Sequence, residues 1–315
     1  MSVLSTLTSE VSVHAVVVSY CPDLPLLRDL LLELTSQVAA IELVDNTPAE
    51  DARVADLVLG LALPKLHLHR LGDNYGIARA LNVGAQAAWN AGATHVLLSD
   101  QDSLPSTDMV TQLLRAECEL TAHGENVGAV GPTFTDVHTG ITFPFHAWIP
   151  GKLFYGHVRP SAQQPIVETL TLITSGMLIP AAAWAAAGPM REDFFIDHVD
   201  IEWSHRARAS GLRLFGTIHA SMAHRMGDDQ LRVWYFGWRC ESAYSPMRVY
   251  YRLRNFVAVC RLPFVATRWK WRNAWYTFGV AYTQVLFGQH RIAALRMALR
   301  GLWDGLRGRM GRLDR

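Results

Sequence analysis

The chain has 315 residues, half of them hydrophobic and 18% charged, with 29 Lys and Arg against 28 Asp and Glu and a formal net charge of +1. It is too apolar and too weakly charged for a disordered polypeptide, and long enough for one large domain or a domain with an appendage. Four cysteines, Cys21, Cys118, Cys240 and Cys260, stand far apart without a Cys-x-x-Cys pair, which excludes a zinc ribbon and a disulfide scaffold and fits a reducing compartment.

From residue 11 short apolar runs alternate with helical stretches. Residues 13–20 (VHAVVVSY) form a continuous β-branched run, expected as a buried strand, followed by the loop CPDLP. Residues 26–38 have helical leucine spacing at 27, 30, 31 and 34. Residues 40–46 (AIELVDN) and 66–72 (LHLHRLG) read as the second and third strands. Residues 77–91 read as a helix ended by Gly92, residues 94–102 (THVLLSDQD) as a fourth strand stopping on acidic residues, and residues 109–122 as another helix. This alternation predicts βαβ units and a mainly parallel sheet. Ligands bind beyond the carboxyl ends of such strands, so chemistry is expected near Tyr20, Asp45, Asp73 and residues 100–102.

From 132 to 165 the pattern dissolves into Gly, Pro, His and aromatics, read as loops and short antiparallel strands. Residues 166–180 return as one or two strands, 181–187 as a short helix, 191–211 as an acidic turn and helix stopped by Gly211, and 213–225 as extended. From 229 onward the composition reads as helical. No internal repeat or low-complexity segment appears.

Asp100-Gln101-Asp102, just past an apolar strand, puts two carboxylates where they can grip one hard divalent cation and leave room for substrate phosphates. An acidic turn capping the next helix through Ser103 or Ser106 is the alternative. Residues 72–84 (GDNYGIARALNVG) are a Gly-bearing turn into a helix; Gly76 lets backbone N–H groups approach a phosphate and Arg79 adds a cation. Taken alone, the stretch reads first as an ordinary strand-to-helix turn with Gly84 chosen for helix packing. It is not a GxGxxG, so no hydride carrier is implied. Asp45, in VDNTP, is placed to accept from a base or ribose, or simply to form a turn. Asp197, Asp200 and Glu202 put three carboxylates in six residues; Asp197 is expected as the N-cap of a helix starting near Val199, and a carboxylate held there suits a general base. His219 and His224, five apart on an extended segment, point to opposite faces; either is a plain surface or core histidine unless a metal lies near.

In this order and spacing these features resemble family 2 glycosyltransferases, in the rhamnosyltransferase-like branch. The resemblance runs from about residue 13 to about residue 255, through VVVSYCPD, VDN, NYGIARALNVG, LLSDQDSLP, TSGMLIP, FFIDHVDIEW with HRARASG, AHRMGD and YYRLRN. It implies a GT-A fold, a nucleotide-binding parallel sheet beside an acceptor-binding half. By resemblance, Tyr20 and Asp45 are nucleotide contacts, and Asn74, Gly76, Arg79 and Asn82 belong to the diphosphate-side loop. Asp100 and Asp102 hold Mg²⁺ or Mn²⁺, with His224 as a third ligand. Ser175 and Gly176 wall the transferred sugar, and Asp200 is the base of an inverting mechanism. Arg254 and Asn255 match a family pattern whose role the sequence leaves open.

The chemistry fits those roles. A departing nucleoside diphosphate gains negative charge that a bound cation stabilises. The acceptor hydroxyl loses a proton to one carboxylate, and a single displacement inverts the anomeric carbon, with no second carboxylate pair as in a hydrolase. dTDP-rhamnose is the donor favoured by the branch, a UDP-sugar the second choice, and the acceptor a glycan or a lipid-linked saccharide of cell-surface polysaccharide synthesis. A nucleotidyltransferase would need a Gly-rich basic loop after the first strand, where this chain has CPDLPLL. A non-catalytic sugar-nucleotide-binding scaffold is the third class.

The charge is unevenly placed. Residues 1–228 carry 13 Lys and Arg against 24 Asp and Glu, a net −11; residues 229–315 carry 16 against 4, a net +12, and six of the ten tryptophans. A GT-A catalytic domain over 11–228 and a basic, Trp-rich helical extension over 229–315 are therefore expected. The extension suits an anionic membrane surface, packing on the body, or a homo-oligomer interface; nucleic acid is not expected, because the acidic half opposes it. The N-terminus does not read as a signal peptide. The longest apolar run, residues 274–288, is 15 long and interrupted, short of a spanning helix. The expected location is the cytoplasm, peripherally at the inner face of the membrane.

Overall fold

The computed structural model describes residues 11–137, 140–224, 229–234 and 238–313, with backbone only at 224, 229, 230 and 238–240. Four parallel strands open the central sheet: β1 (Val13–Ser19), β2 (Ala40–Pro48), β3 (Leu66–Gly72) and β4 (His95–Asp100). They stand in the order β3-β2-β1-β4, with Val16 opposite both Glu42 and Leu98. Every residue of β1 is buried, as its continuous β-branched run requires of a strand covered on both faces.

The pleat of β1 divides the core. Val16 and Val18 join Val44, Leu81, Ala85 and Leu98 under α3 (Ile77–Asn90). Ala15 and Val17 join Leu30, Leu31, Leu97 and Leu113 under α1 (Leu24–Gln37) and α4 (Met109–Ala122). The four leucines expected to face inward on α1 are buried, and Asp23 caps that helix by accepting from the Leu26 amide at 3.3 Å. Gly84 lets α3 press on the sheet: a Cβ there would sit 2.4 Å from Val16 Cγ1 and 3.0 Å from Val44 Cγ2.

Beyond β4 the sheet continues through β10 (Met177–Pro180), antiparallel to both β4 and β6 (Val127–Asp136); β11 (Arg213–His224) then runs parallel to β6, and β5 (Leu104–Pro105) and β9 (Ile166–Thr169) pair antiparallel with β11. A separate hairpin, β7 (Phe145–Ala147) with β8 (Gly156–Val158), lies in the stretch read as loops and short antiparallel strands. The short helix α5 (Ala181–Ala187) and the helix α6 (Val199–Ala209) fall where expected, and Gly211 has the left-handed φ of +84°.

Three elements differ from expectation. A helix α2 (Arg53–Leu61) fills the stretch between β2 and β3, and β6 is a ten-residue strand that begins ahead of the irregular stretch and runs into it. The basic extension opens with two antiparallel strands, β12 (Asp229–Trp234) and β13 (Trp238–Ala243), before its helices, with Val233 opposite Arg239 and Trp234 opposite Trp238. Then come α7 (Pro246–Cys260), α8 (Thr267–Phe287) and α9 (Arg291–Arg307). α9 packs on α7 through small residues; a Cβ at Gly301 would meet the Tyr250 carbonyl at 2.4 Å. Among the described residues no helix is long and apolar enough to cross a membrane.

Candidate active site

The strand order reverses between β1 and β4, and the crevice outside their carboxyl ends is where an open α/β sheet binds ligands. Gln101 bridges the two ends: its Oε1 accepts from the Tyr20 amide at 2.7 Å and its Nε2 donates to the Tyr20 carbonyl at 3.3 Å. Tyr20 itself is exposed at the rim. One strand over, Asp45 is fully buried. Its Oδ1 accepts from Ser19 Oγ and the Thr47 amide, and its Oδ2 has Arg70 Nε at 3.7 Å but no hydrogen bond among the described residues.

The loop before α3 is held by its own amides. Asn74 Oδ1 accepts from Asn46 Nδ2 (3.1 Å) and from the Gly76 amide (3.0 Å), while Asn46 Oδ1 accepts from the Tyr75 amide. Gly76 is required twice over: φ is +87°, and a Cβ would stand 2.6 Å from the Phe195 carbonyl oxygen. That carbonyl takes the first free amide of α3, from Ile77, at 2.8 Å. Arg79 ion-pairs with Glu192 at 3.2 Å, and Asn82 joins the same segment through the Met190 backbone and Glu192. These two side chains tie α3 to the segment ahead of α6.

At the end of β4, Asp100 Oδ2 accepts from Ser175 Oγ at 2.6 Å, while Asp100 Oδ1 is buried with no hydrogen-bond partner among the described residues. A buried carboxylate oxygen left over, with Asp102 two residues on, is a donor set suited to a hard cation that keeps other positions for water and phosphate oxygens. No cluster of three or more metal-ligating side chains occurs among the described residues; the side chain of His224 lies outside them. Gly176, at φ +79°, donates its amide to the Leu98 carbonyl, and a Cβ there would meet Pro132 at 2.6 Å. His219 is exposed on β11, where a register shift between Thr217 and Ser221 breaks the alternation assumed for the two histidines.

Asp197 does not cap α6. It and His198 both have φ of +62°, His198 occupies the cap position without a side-chain bond, and Asp197 pairs with Arg248 (3.1 Å) and Arg252 (3.4 Å) of α7. Burial alone would raise its pKa, but the two guanidinium groups outweigh burial and hold it down to about 2. Glu202 is spent on Arg206. Asp200 has the opposite surroundings. It has no ion pair among the described residues; burial pushes its carboxyl up to about 6, and the charges of Asp100 and Asp197 push the same way against backbone hydrogen bonds from Ile201 and from its own amide. Asp100 and Asp200 thus act on each other across the site.

Asp200 and Ser175 are among the residues lining a cavity of about 750 Å³. The rest of its wall comes from distant segments: Phe145 and Tyr155 of the β7–β8 region, Leu172, and Trp269, Trp271 and Trp275 of α8. Arg272 also lines it, with its Nε buried and lacking a hydrogen-bond partner among the described residues. The sequence showed aromatic density at 143–157 and 269–276 but gave no reason to join these stretches to Asp200.

No family model matches the chain. It is 28% identical over 307 residues to the dTDP-rhamnosyl transferase RfbF of Shigella flexneri, an alignment covering 95% of this chain and 97% of that one. Among solved structures it is similar to GalNAc-T7 with UDP, GalNAc and Mn²⁺ (TM-score 0.56, 13% identity), matching 89% of this chain and spanning 58% of that one. It is also similar to residues 1–349 of TarS from S. aureus (TM-score 0.51, 14% identity, 93% of this chain and 80% of that one). The structural likenesses establish the GT-A fold, and the sequence likeness runs nearly end to end with a rhamnosyltransferase: this chain is a glycosyltransferase that resembles the rhamnosyltransferase-like branch.

Proposed function

We propose that the protein is an inverting, metal-dependent transferase that moves rhamnose from dTDP-rhamnose to a hydroxyl of a glycan or lipid-linked acceptor in cell-surface polysaccharide synthesis. The observation that carries this reading is Asp200: a carboxylate with a raised pKa, lining an aromatic-rich cavity and feeling the charge of Asp100. The name of the Shigella relative favours dTDP-rhamnose as donor; the GalNAc-T7 structure, with UDP and Mn²⁺, keeps UDP-sugars as the second choice.

In this reading the acceptor lies in the cavity with its sugar rings against Trp and Tyr faces. Asp200 takes the proton of the attacking hydroxyl, the acceptor oxygen bonds to the anomeric carbon from the side opposite the nucleotide, and the bond to the diphosphate oxygen breaks. Asp45 and Tyr20 receive the nucleoside, and the loop around Asn74 and Gly76, with Arg79 and Asn82 behind it, faces the diphosphate. Ser175 orients Asp100 and, with Gly176, walls the transferred sugar. Mg²⁺ or Mn²⁺, held by Asp100 and Asp102 with His224 as a further ligand, would supply charge compensation for the departing nucleoside diphosphate.

The transfer chemistry is assigned to a domain of residues 11–228, and residues 229–315 form an extension that closes the cavity and meets an anionic membrane. One specific observation favours the membrane: α9 is turned inside out. Its small residues Ala294, Ala298 and Gly301 are buried, while Ile292, Leu295, Leu299, Trp303 and Leu306 are exposed beside Arg291, Arg296, Arg300 and Arg307. Apolar side chains flanked by guanidinium groups, without an exposed carboxylate on the helix, match an interface of acyl chains and anionic headgroups.

A nucleotidyltransferase is disfavoured because the loop after β1 is spent on capping α1 through Asp23. The test is a transfer assay with dTDP-rhamnose, UDP-sugars and a lipid-linked saccharide acceptor, with and without Mn²⁺, the product anomer read by NMR. Metal-dependent transfer with inversion is expected; an Asp102→Ala protein working at the wild-type rate would overturn the metal role.

A further inference from the structure

Helix α7 carries two side chains that line no cavity and yet end on the segment leading to Asp200. Arg254 is 1% exposed and Asn255 is fully buried. The Asn255 Nδ2 group lies within hydrogen-bond distance of three carbonyls in one four-residue stretch of backbone: those of Phe194 (2.9 Å), Ile196 (2.7 Å) and Asp197 (2.8 Å). Its Oδ1 accepts from Arg254 Nε at 2.9 Å, which fixes the amide so that its N–H groups face the segment. Arg254 then adds its own donors to the carbonyls of Asp193 (3.2 Å), Phe194 (2.9 Å) and Gly311.

The segment needs such a hold. Phe195, Asp197 and His198 all have φ between +62° and +65°, a region that side chains with a Cβ avoid, and α6 with Asp200 begins immediately afterwards. Local support stops at backbone hydrogen bonds from Phe194, Phe195 and Ile196; His198 makes no side-chain cap, and the Asp197 side chain pairs with Arg248 and Arg252. The ligands of the path are instead on α7, about sixty residues later in the chain.

The chemistry of Arg254 is also informative. It is a buried guanidinium with no carboxylate partner among its hydrogen bonds; it is satisfied by carbonyls and by the rings of Tyr250 and Tyr251, at 5.5 and 4.8 Å from their centroids. A buried cation is costly, and apolar packing would hold two helices together at least as well. What apolar packing does not supply is a set of directed donors that fix one backbone path.

We propose that Arg254 and Asn255 are positioning residues of the transfer reaction: they hold residues 193–198 in the strained path that presents the Asp200 carboxylate to the acceptor cavity. This rests on the reading of Asp200 as the base. The pair touches neither donor nor acceptor, so it acts through Asp200 alone.

The test uses the full chain and three variants, Asn255→Ala, Arg254→Lys and Asp200→Asn. Active molecules are counted by calorimetric titration with dTDP plus Mn²⁺, below the melting temperature of each variant. Asn255→Ala is expected to lose about 10- to 100-fold in kcat per binding-competent molecule, with dTDP affinity within about threefold of wild type; Arg254→Lys, which keeps the charge and part of the donor set, is expected to lose less. If Asn255→Ala does not fold, the same split is read on Arg254→Lys. Folded variants with wild-type kcat per dTDP-binding molecule would overturn the proposal and leave a purely structural clamp. Failure of the functional reading looks different: wild type itself would show no transfer, or Asp200→Asn would retain full activity.

Discussion

The proposed donor edge and the proposed acceptor cavity are built in opposite ways. Along the carboxyl ends of β1, β2 and β4, the polar side chains hold one another: Gln101 on Tyr20, Ser19 on Asp45, Asn46 on Asn74, Ser175 on Asp100. The proposed acceptor cavity draws its wall from six separate stretches of chain and is rich in aromatic rings, with His146, His157 and Asn273 as polar groups beside Asp200, Ser175 and Arg272. The first arrangement fixes a charged, bidentate ligand in one pose. The second offers area and tolerates variation, as suits sugar rings that stack on aromatic faces. Asp200 stands where the two meet, and the absence of an ion pair to it among the described residues separates it from Asp197 only three residues away.

The largest effect is therefore expected at that junction. Asp200→Asn removes the proton acceptor and should lower kcat by about 10²- to 10⁴-fold with dTDP binding kept. In the wild type, the base is active when ionised, so kcat/KM should rise with pH up to about 6 and then level off. The stability signature has the opposite sign. A carboxyl whose folded pKa lies above its ordinary value of 3.8 binds more protons folded than unfolded, so folding stability falls as pH rises through the window from about 4 to about 6. Metal-free Asp200→Asn should consequently melt higher than wild type at pH 7 and at nearly the same temperature at pH 4. Scanning calorimetry at both pH values checks this; a variant that melts lower at pH 7 would remove the desolvated-base account.

The next effect belongs to the cavity wall. Trp275 is 88% exposed and lines the cavity, so nothing in the fold requires it. Trp275→Ala should raise the acceptor KM about tenfold, leave the donor KM alone and leave the melting temperature unchanged, in steady-state assays varying each substrate in turn. A change in donor KM would mean that the two sides are not separable as described.

How legible each side was in the sequence follows from the same difference. Strands that end on Tyr20, Asp45 and Asp100 announce where a parallel sheet binds its ligand, because hydrophobic runs mark the strand and the polar residue after them marks its end. Gly84 was readable as a packing glycine, and it is one. The cavity was not readable, because Phe145, Tyr155 and Trp269 each look like ordinary core aromatics and only the fold brings them to Asp200. The cap assignment of Asp197 failed for a related reason. Its partners, Arg248 and Arg252, lie about fifty residues away, and two cations outcompete a local amide. The strand pair at 229–243 was hidden by counting Arg and Trp as helical composition without weighing their alternation.

A smaller effect tests the outward face of α9. Leu299→Glu with Trp303→Glu should abolish co-sedimentation with vesicles containing phosphatidylglycerol, with little change in kcat on a water-soluble acceptor, since both side chains are exposed. Binding of wild type to neutral phosphatidylcholine vesicles as strongly as to anionic ones would refute the charge part of the reading.

The smallest effect on activity is expected at the other end of the strands. Glu42 is buried with His14, His67 and His69 around it, at 3.1, 3.1 and 2.7 Å, near the amino ends of β1, β2 and β3 and away from the ligand edge. Burial alone would raise its pKa, but the hydrogen bonds from His69, His67 and His14 together outweigh burial and lower it from 4.5. A carboxyl depressed in the folded state contributes stability that is present above the unfolded value of 4.5 and is lost as pH falls through the lower folded value. Glu42→Gln should thus cost about 1–3 kcal/mol in urea unfolding at pH 7, a difference that narrows below pH 4, while kcat and both KM values stay within twofold of wild type. Loss of activity without loss of stability would show that the amino end of the sheet communicates with the ligand edge, and the separation drawn between structural and catalytic carboxylates would not hold.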